Sequence, residues 1–254
     1  MTVLSVNLNK IALIRNSREG NYPNLLDHAR MCLDAGASGI TIHPRPDQRH
    51  IRASDARELR DFLSVELNIE GNPFAGPRRS ERADVGDYPG FMELVRECRP
   101  EQCTLVPDGD AQLTSDHGFN MARDGEALKP IIAELKDLGI RVSIFMDPDP
   151  GQMAQVAACG ADRIELYTGP YAEQHARGED PDSILTPYID AARAALDCGL
   201  GINAGHDLNL NNLRDFCKVP GLAEVSIGHA LTVDSIKLGM STAVREYLKQ
   251  LAPG

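Results

Sequence analysis

Short runs of β-branched and apolar residues alternate along this chain with longer segments whose apolar positions recur every three or four residues. The first pattern predicts buried strands and the second amphipathic helices. Strands are expected at Leu4–Leu8, Gly39–His43, Glu66–Glu70, Gln102–Val106, Arg141–Phe145, Asp162–Tyr167, Gly201–Ala204 and Ala223–Ile227. Helices are expected at Asn24–Ala35, Ala53–Leu63, Gly90–Cys98, Gly125–Leu138, Gly151–Cys159, Ser183–Cys198, Leu210–Cys217 and Thr232–Leu251. Several helices end in a small turn just before a strand, as in DAGASGITIH, DLGIRVSIF, ACGADRIELY and DCGLGINAG. Glycine there supplies the positive backbone angle that stops a helix. Eight such units with right-handed crossovers close into an α/β fold, a (β/α)8 TIM barrel. An open doubly wound sheet is the competing architecture, but no GxGxxG fingerprint follows the first strand. A few extra helices are expected as insertions, at Ser80–Tyr88 and Tyr171–Asp182.

Composition narrows the function. The chain has 254 residues, 42% of hydrophobic type, enough for one large core. With no low-complexity linker, residues 1–254 read as a single domain. The net charge of -11 argues against nucleic-acid or anionic-membrane partners. No apolar run approaches the roughly 18 residues of a membrane span, and the N-terminus lacks a secretory signal layout. Six cysteines without a CxxC pair suit structural thiols in a reducing cytoplasm.

Against that acidic background, ITIHPRPDQRHIR concentrates His43, Arg45, Arg49, His50 and Arg52 beyond one strand. Such a group is a natural anion site with imidazoles near enough to move protons. Chemistry in a barrel of this kind sits at the C-terminal strand ends. There the chain carries Asn7, Asn9 and Lys10 after the first strand, with Arg15 and Arg18 beyond. Glu70 and Asn72 follow the third, Asp108 the fourth, Asp147 the fifth and Glu165 the sixth. His206 and His229 follow the seventh and eighth. Each has a plainer reading: a rim histidine, a turn or capping aspartate, a solvated arginine, a carboxylate that only neutralises Arg45 or Lys10. Three of the seven histidines and two glutamates ending five strands together point to acid–base catalysis.

The small residues of NAGHD and IGHA let backbone N–H groups approach an anion, in the loops that hold phosphate in barrels. With the Arg45 and His50 group this makes two anion sites, hence two phosphorylated substrates or one bisphosphate. Three histidines and a glutamate could instead bind zinc. No HxH spacing is present, and lysine and arginine crowd the same mouth, so the expectation is no metal.

The motifs SVNLNKIALIRNSR, ITIHPRPDQRHI, NIE, LVP, IELYTGPYA, NAGH and SIGHALT together resemble the pyridoxine 5′-phosphate synthase family over nearly the whole chain. The resemblance implies a TIM barrel with extra helices, commonly octameric, that needs no metal or organic cofactor. It implies condensation of 1-deoxy-D-xylulose 5-phosphate with 3-amino-2-oxopropyl phosphate to pyridoxine 5′-phosphate, phosphate and water. His43 and Glu70 would be proton acceptors, His206 the proton donor, and Glu165 the stabiliser of transition-state charge. Asn7 and Arg18 would contact the aminoketone phosphate, and Arg45, His50 and Thr114 the deoxyxylulose phosphate. Gly228 and His229 would hold phosphate, and Asp108–Asn120 would form a lid. The chain departs from the family pattern where Asn9–Lys10 replaces an aspartate–histidine pair and Asp207 replaces a glycine. The stretch from Gly71 to Asp87 is also longer and more polar than the pattern. Lys10 would take over a phosphate contact, and the Asp207 backbone N–H could still serve one. The alternatives are a paralogous barrel lyase or aldolase with other phosphorylated substrates, and a non-catalytic sugar-phosphate binder.

Overall fold

Residues 2–252 are described by the computed structural model; residues 1, 253 and 254, the ends of the expected 1–254 unit, lie outside them. The strands are β1 (Val3–Asn7), β2 (Gly39–Ile42), β3 (Glu66–Gly71), β4 (Gln102–Leu105), β5 (Arg141–Met146), β6 (Arg163–Tyr167), β7 (Gly201–Gly205) and β8 (Leu222–Ile227). Each pairs in parallel with its sequence neighbour, and β8 returns to β1, closing the barrel. The helices are α1 (Asn9–Asn16), α2 (Leu25–Asp34), α3 (Ala53–Phe62), α4 (Phe91–Cys98), α5 (Met121–Asp137) and α6 (Met153–Ala158). They continue as α7 (Gly169–Ala176), α8 (Pro181–Asp197), α9 (Leu213–Phe216), α10 (His229–Leu238) and α11 (Met240–Leu251). A 3-10 turn at Pro150–Gln152 precedes α6.

One helix, α1, is additional to the expectation, and one expected helix is two. The short α1 buries only Ile11, Ala12 and Arg15 and leaves its apolar Leu13 and Ile14 exposed, so its periodicity is faint. α7 overlaps the insertion expected at Tyr171–Asp182, starting two residues earlier. The other expected insertion, Ser80–Tyr88, is not helical. It is a loop with a single antiparallel bridge from Arg78 to Tyr88. The expected Thr232–Leu251 helix breaks at Gly239, whose φ of 78° lies in the left-handed region.

Strand residues alternate by face. Leu4, Val6, Ile40, Ile42, Leu67, Ile69, Val142, Ile144, Ile164 and Leu166 are completely or almost completely buried apolar side chains of the core. The intervening residues point into the barrel and are largely polar. Ser5 Oγ lies 2.7 Å from Thr41 Oγ1, and Thr104 donates to Asn68 Oδ1 at 3.0 Å. Asn203 donates to Gln102 Oε1 at 3.2 Å across the interior. Buried polar groups persist when they satisfy one another, as these do; the buried Ser143 hydroxyl has no such partner. This alternation fixes the site. Asn7, Glu70, Glu165 and Ser226 occupy inward positions near the C-terminal ends, so their side chains converge in the mouth.

Candidate active site

The floor of the mouth is built by local bonds between strand ends. Asn9 Oδ1 accepts the His43 backbone N–H at 2.9 Å, tying the start of α1 to the exit of β2. Asn7 Oδ1 in turn accepts the Asn9 N–H at 2.9 Å. Beyond them, Asn16 Nδ2 donates to the His50 carbonyl at 2.7 Å and reaches those of Gln48 and Arg49. Arg15, buried, donates to the His50 carbonyl at 3.1 Å and pairs with Asp55 through both terminal nitrogens, at 2.5 and 2.8 Å. The arginine and asparagine of the first motif therefore fix the loop that carries His43 to His50. His50 Nδ1 accepts the Ile51 N–H at 2.9 Å, which makes Nε2 the ring donor.

Glu70 and Glu165 form a buried carboxyl pair. Glu70 Oε2 lies 3.5 Å from Asn7 Nδ2 and 3.8 Å from His43 Nδ1. Burial first, then the neighbouring Glu165, Asp108 and Glu224 carboxyls, raise the Glu70 pKa well above the ordinary range. Burial likewise lifts Glu165 to about 7. His43 moves the other way, to about 3, because burial and the cations of Arg45 and Arg49 oppose a charged imidazole. At neutral pH the ring is therefore neutral. Asp108 is tied to Arg45 by an ion pair and accepts from Ser115 at 2.9 Å. Its Oδ1 is buried without a partner.

Two glycines are required by close approach. A Cβ on Gly205 would overlap Glu165 Oε1, so the glycine of NAGH makes room for the carboxyl. A Cβ on Gly228 would lie 3.0 Å from Asn7 Cβ and Oδ1, where β1 and β8 crowd together. Gly228 leads into α10, whose first residue is His229, so free backbone N–H groups face the mouth. His206 and Asp207 both hold positive φ, 85° and 61°, at the end of β7. Asp207 Oδ2 sits 2.9 Å from His206 Nδ1, off the angle of a hydrogen bond. The imidazole holds the Asp207 carboxyl below the usual range. On its other side, His206 Nε2 lies 2.9 Å from Thr114 Oγ1. Thr114 belongs to the loop after β4, which crosses the mouth from the β2 side to the β7 side.

These groups line one cavity of about 410 Å³. The model of the family described as "Pyridoxal phosphate biosynthesis protein PdxJ" matches residues 4–253. The chain belongs to this family. A pyridoxine 5′-phosphate synthase from Xanthomonas campestris pv. campestris (strain B100) is 57% identical over 257 residues, covering 100% of this chain and 97% of the relative. One from Xylella fastidiosa (strain M23) is 53% identical over 251 residues, covering 97% and 94%. Among solved structures, the tryptophan synthase A-subunit from Pyrococcus furiosus superposes with a TM-score of 0.61 at 15% identity, covering 98% of this chain and 97% of that one. At that identity the likeness concerns the barrel alone.

Within this member of the family, thirteen of the fourteen expected site residues line the cavity: Asn7, Asn9, Lys10, His43, Arg45, His50, Glu70, Thr114, Glu165, His206, Asp207, Gly228 and His229. Arg18 does not. It is exposed in the turn after α1, and its guanidinium donates to the Ser17 carbonyl at 3.2 Å. Seven further residues also line the wall: Leu13, Arg49, Val106, Leu113, Ser115, Phe145 and Ser226. Phe145 and Ser226 were readable from the two-residue alternation of β5 and β8. Arg49 carries no such signal, since it lies on a loop. Among the described residues no group of three or more His, Cys, Asp or Glu has the geometry to hold a metal ion, and no helix is long and apolar enough to cross a membrane.

Proposed function

We propose that the chain is a pyridoxine 5′-phosphate synthase, joining 1-deoxy-D-xylulose 5-phosphate to 3-amino-2-oxopropyl phosphate. Pyridoxine 5′-phosphate, inorganic phosphate and water are the products. The observation that carries this reading is the Glu70–Glu165 carboxyl pair with neutral His43 in a cavity that also holds two sets of anion-binding groups. One set is Arg45 and His50 beyond β2 with Lys10 of α1, whose charge acts on His50; the other is Gly228 and His229 at the start of α10. Asn7 lines the same cavity as an aminoketone-phosphate contact, and Asn9 and the Asp207 backbone complete the phosphate contacts.

The roles follow from the chemistry. The aminoketone arrives as an ammonium and must lose a proton before attacking a ketone. Glu70, whose proton affinity burial has raised, is a strong base once the incoming cation stabilises its ionised form. Neutral His43 accepts a second proton. His206, on the opposite strand, returns one as water and phosphate leave. Glu165 offsets positive charge as the ring closes. Asn9, which holds the His43 backbone through Oδ1, keeps the acceptor that an aspartate would supply there. Lys10 takes a substrate phosphate in place of an imidazole. The loop Asp108–Asn120 closes over imine intermediates that water would hydrolyse. Arg18 acts on the aminoketone phosphate only if the α1 turn or a second copy brings it to a mouth. A homo-oligomer, octameric as the family resemblance implies, is supported by the exposed apolar side chains of Ile14, Val233 and Ile236 on α1 and α10. A cytoplasmic setting is supported by the unpaired cysteines.

The test is to treat the purified protein with chelator, add both substrates and follow product by absorbance and mass. Pyridoxine 5′-phosphate is expected. Its absence from folded protein would favour a lyase or aldolase acting on other phosphorylated substrates, and activity restored by zinc alone would favour a metal enzyme.

A further inference from the structure

Arg49 has a place in the cavity wall that the phosphate and proton-transfer roles leave unused. Its guanidinium is preset by Asp47: Nε donates to Asp47 Oδ2 at 2.7 Å, and the Arg49 backbone N–H donates to Oδ1 at 3.1 Å. Nη2 also lies 2.6 Å from Asp47 Oδ2, and Nη1 and Nη2 together face the loop after β4. They reach the carbonyls of Asp110 at 3.2 Å, Gln112 at 3.0 Å and Leu113 at 3.4 Å. Arg45 also reaches the Gln112 carbonyl, at 2.8 Å, but shares its guanidinium with Asp108. Among the described residues, Arg45 and Arg49 are the only side chains outside this loop that bond the backbone of residues 110–114.

The loop's two roots are fixed without Arg49. Asp108 is held by Arg45, and the Phe119 N–H donates to the Phe145 carbonyl at 2.9 Å. A Cβ on Gly118 would overlap the backbone of Met146 and Asp147, so that root lies flat on the end of β5. The tip has no comparable hold. Leu113, its apolar residue, is 88% exposed, so burial of apolar surface does not draw the tip down. What remains is polar: the guanidinium contacts on the β2 side, an exposed Arg78 contact to the Asp110 carboxylate at 3.4 Å, and Thr114 on His206 at the other side. A charged donor to several carbonyls is a stronger hold than neutral bonds.

We propose that Arg49, oriented by Asp47, is a positioning residue that latches the tip of this loop across the mouth. It acts through the loop and touches no reacting atom. It sets Thr114 against His206 and keeps water from the intermediates while Arg45 turns to substrate phosphate. This rests on the synthase reading for its consequence in turnover, though not for the latch itself.

The two are separated by measuring both. Hydrogen exchange of residues 110–117 in the ligand-free protein reads the latch without any activity. Arg49→Ala is expected to speed exchange there by about 10-fold, with Arg49→Lys intermediate and the barrel strands unchanged. In turnover, Arg49→Ala should lower the fraction of consumed aminoketone recovered as pyridoxine 5′-phosphate, because an open mouth lets imines hydrolyse. Exchange within about twofold of the parent would overturn the latch, as would an unchanged recovery from an active variant. Parent protein that yields no product would sink the synthase reading and leave the exchange comparison to decide the latch. The Arg49 side chain is already 27% exposed, so thermal unfolding should match the parent.

Discussion

Burying the Glu165 carboxyl beside Glu70 raises its pKa from 4.5 to about 7, and this ties stability to pH. A carboxyl whose folded pKa exceeds its unfolded one favours folding while protonated, and that contribution is lost as pH rises from about 4.5 through about 7. Glu165→Gln is neutral at every pH and avoids the loss. It is expected to be more stable than the parent by about 1–3 kcal/mol at pH 8, with the gain disappearing toward pH 4.5. Urea unfolding at the two pH values checks this, and equal stabilities at pH 8 would contradict it. His43 pulls the other way: its folded pKa near 3 means stability falls as pH drops from about 6.5 to about 3. In the proposed reading Lys10 takes the deoxyxylulose phosphate. Lys10→Ala should raise the KM for deoxyxylulose phosphate by about 10-fold or more. An unchanged KM and turnover would remove it from the phosphate site.

At the scale of elements, the site depends on the way α1 and the β2 loop are locked together. The buried Arg15–Asp55 pair also holds the His50 carbonyl, so removing one partner strands a buried charge and frees the loop. Arg15→Ala should cost about 3–5 kcal/mol of unfolding free energy, measured by denaturant titration, and weaken deoxyxylulose phosphate binding with it. All eight strands were legible in the sequence to within about one residue at each end, because β-branched runs bounded by turn glycines leave little choice. α1 was not legible: its bonds are polar side-chain locks to a distant loop, which leave no periodic trace. The two-residue alternation within strands was legible but easily passed over. It separates helix-facing apolar residues from an inward polar set, and so announces Glu70, Glu165 and Ser226 as neighbours in space. The pairing of Gly205 with Glu165 was hidden, since nothing in NAGH names the side chain that needs its space.

At the scale of the whole molecule, a chain of net charge -11 brings Lys10, Arg45 and Arg49 together in the wall of one mouth. Anionic substrates then meet a local positive field in an otherwise repulsive surface. The barrel brings His43, Glu70, Glu165 and His206 together from four strand ends, and the loop after β4 spans them from Arg49 to His206. The central claim is that the carboxyl pair and histidines of this cavity make pyridoxine 5′-phosphate. It is tested most directly by comparing product formation by the parent and Glu70→Gln, with both substrates, in chelated buffer. The account predicts product from the parent and a loss of about 10²–10⁴ in kcat for the variant, which keeps shape and hydrogen bonding but cannot take the ammonium proton. A parent that forms no product, or a Glu70→Gln variant that turns over like the parent, would contradict it.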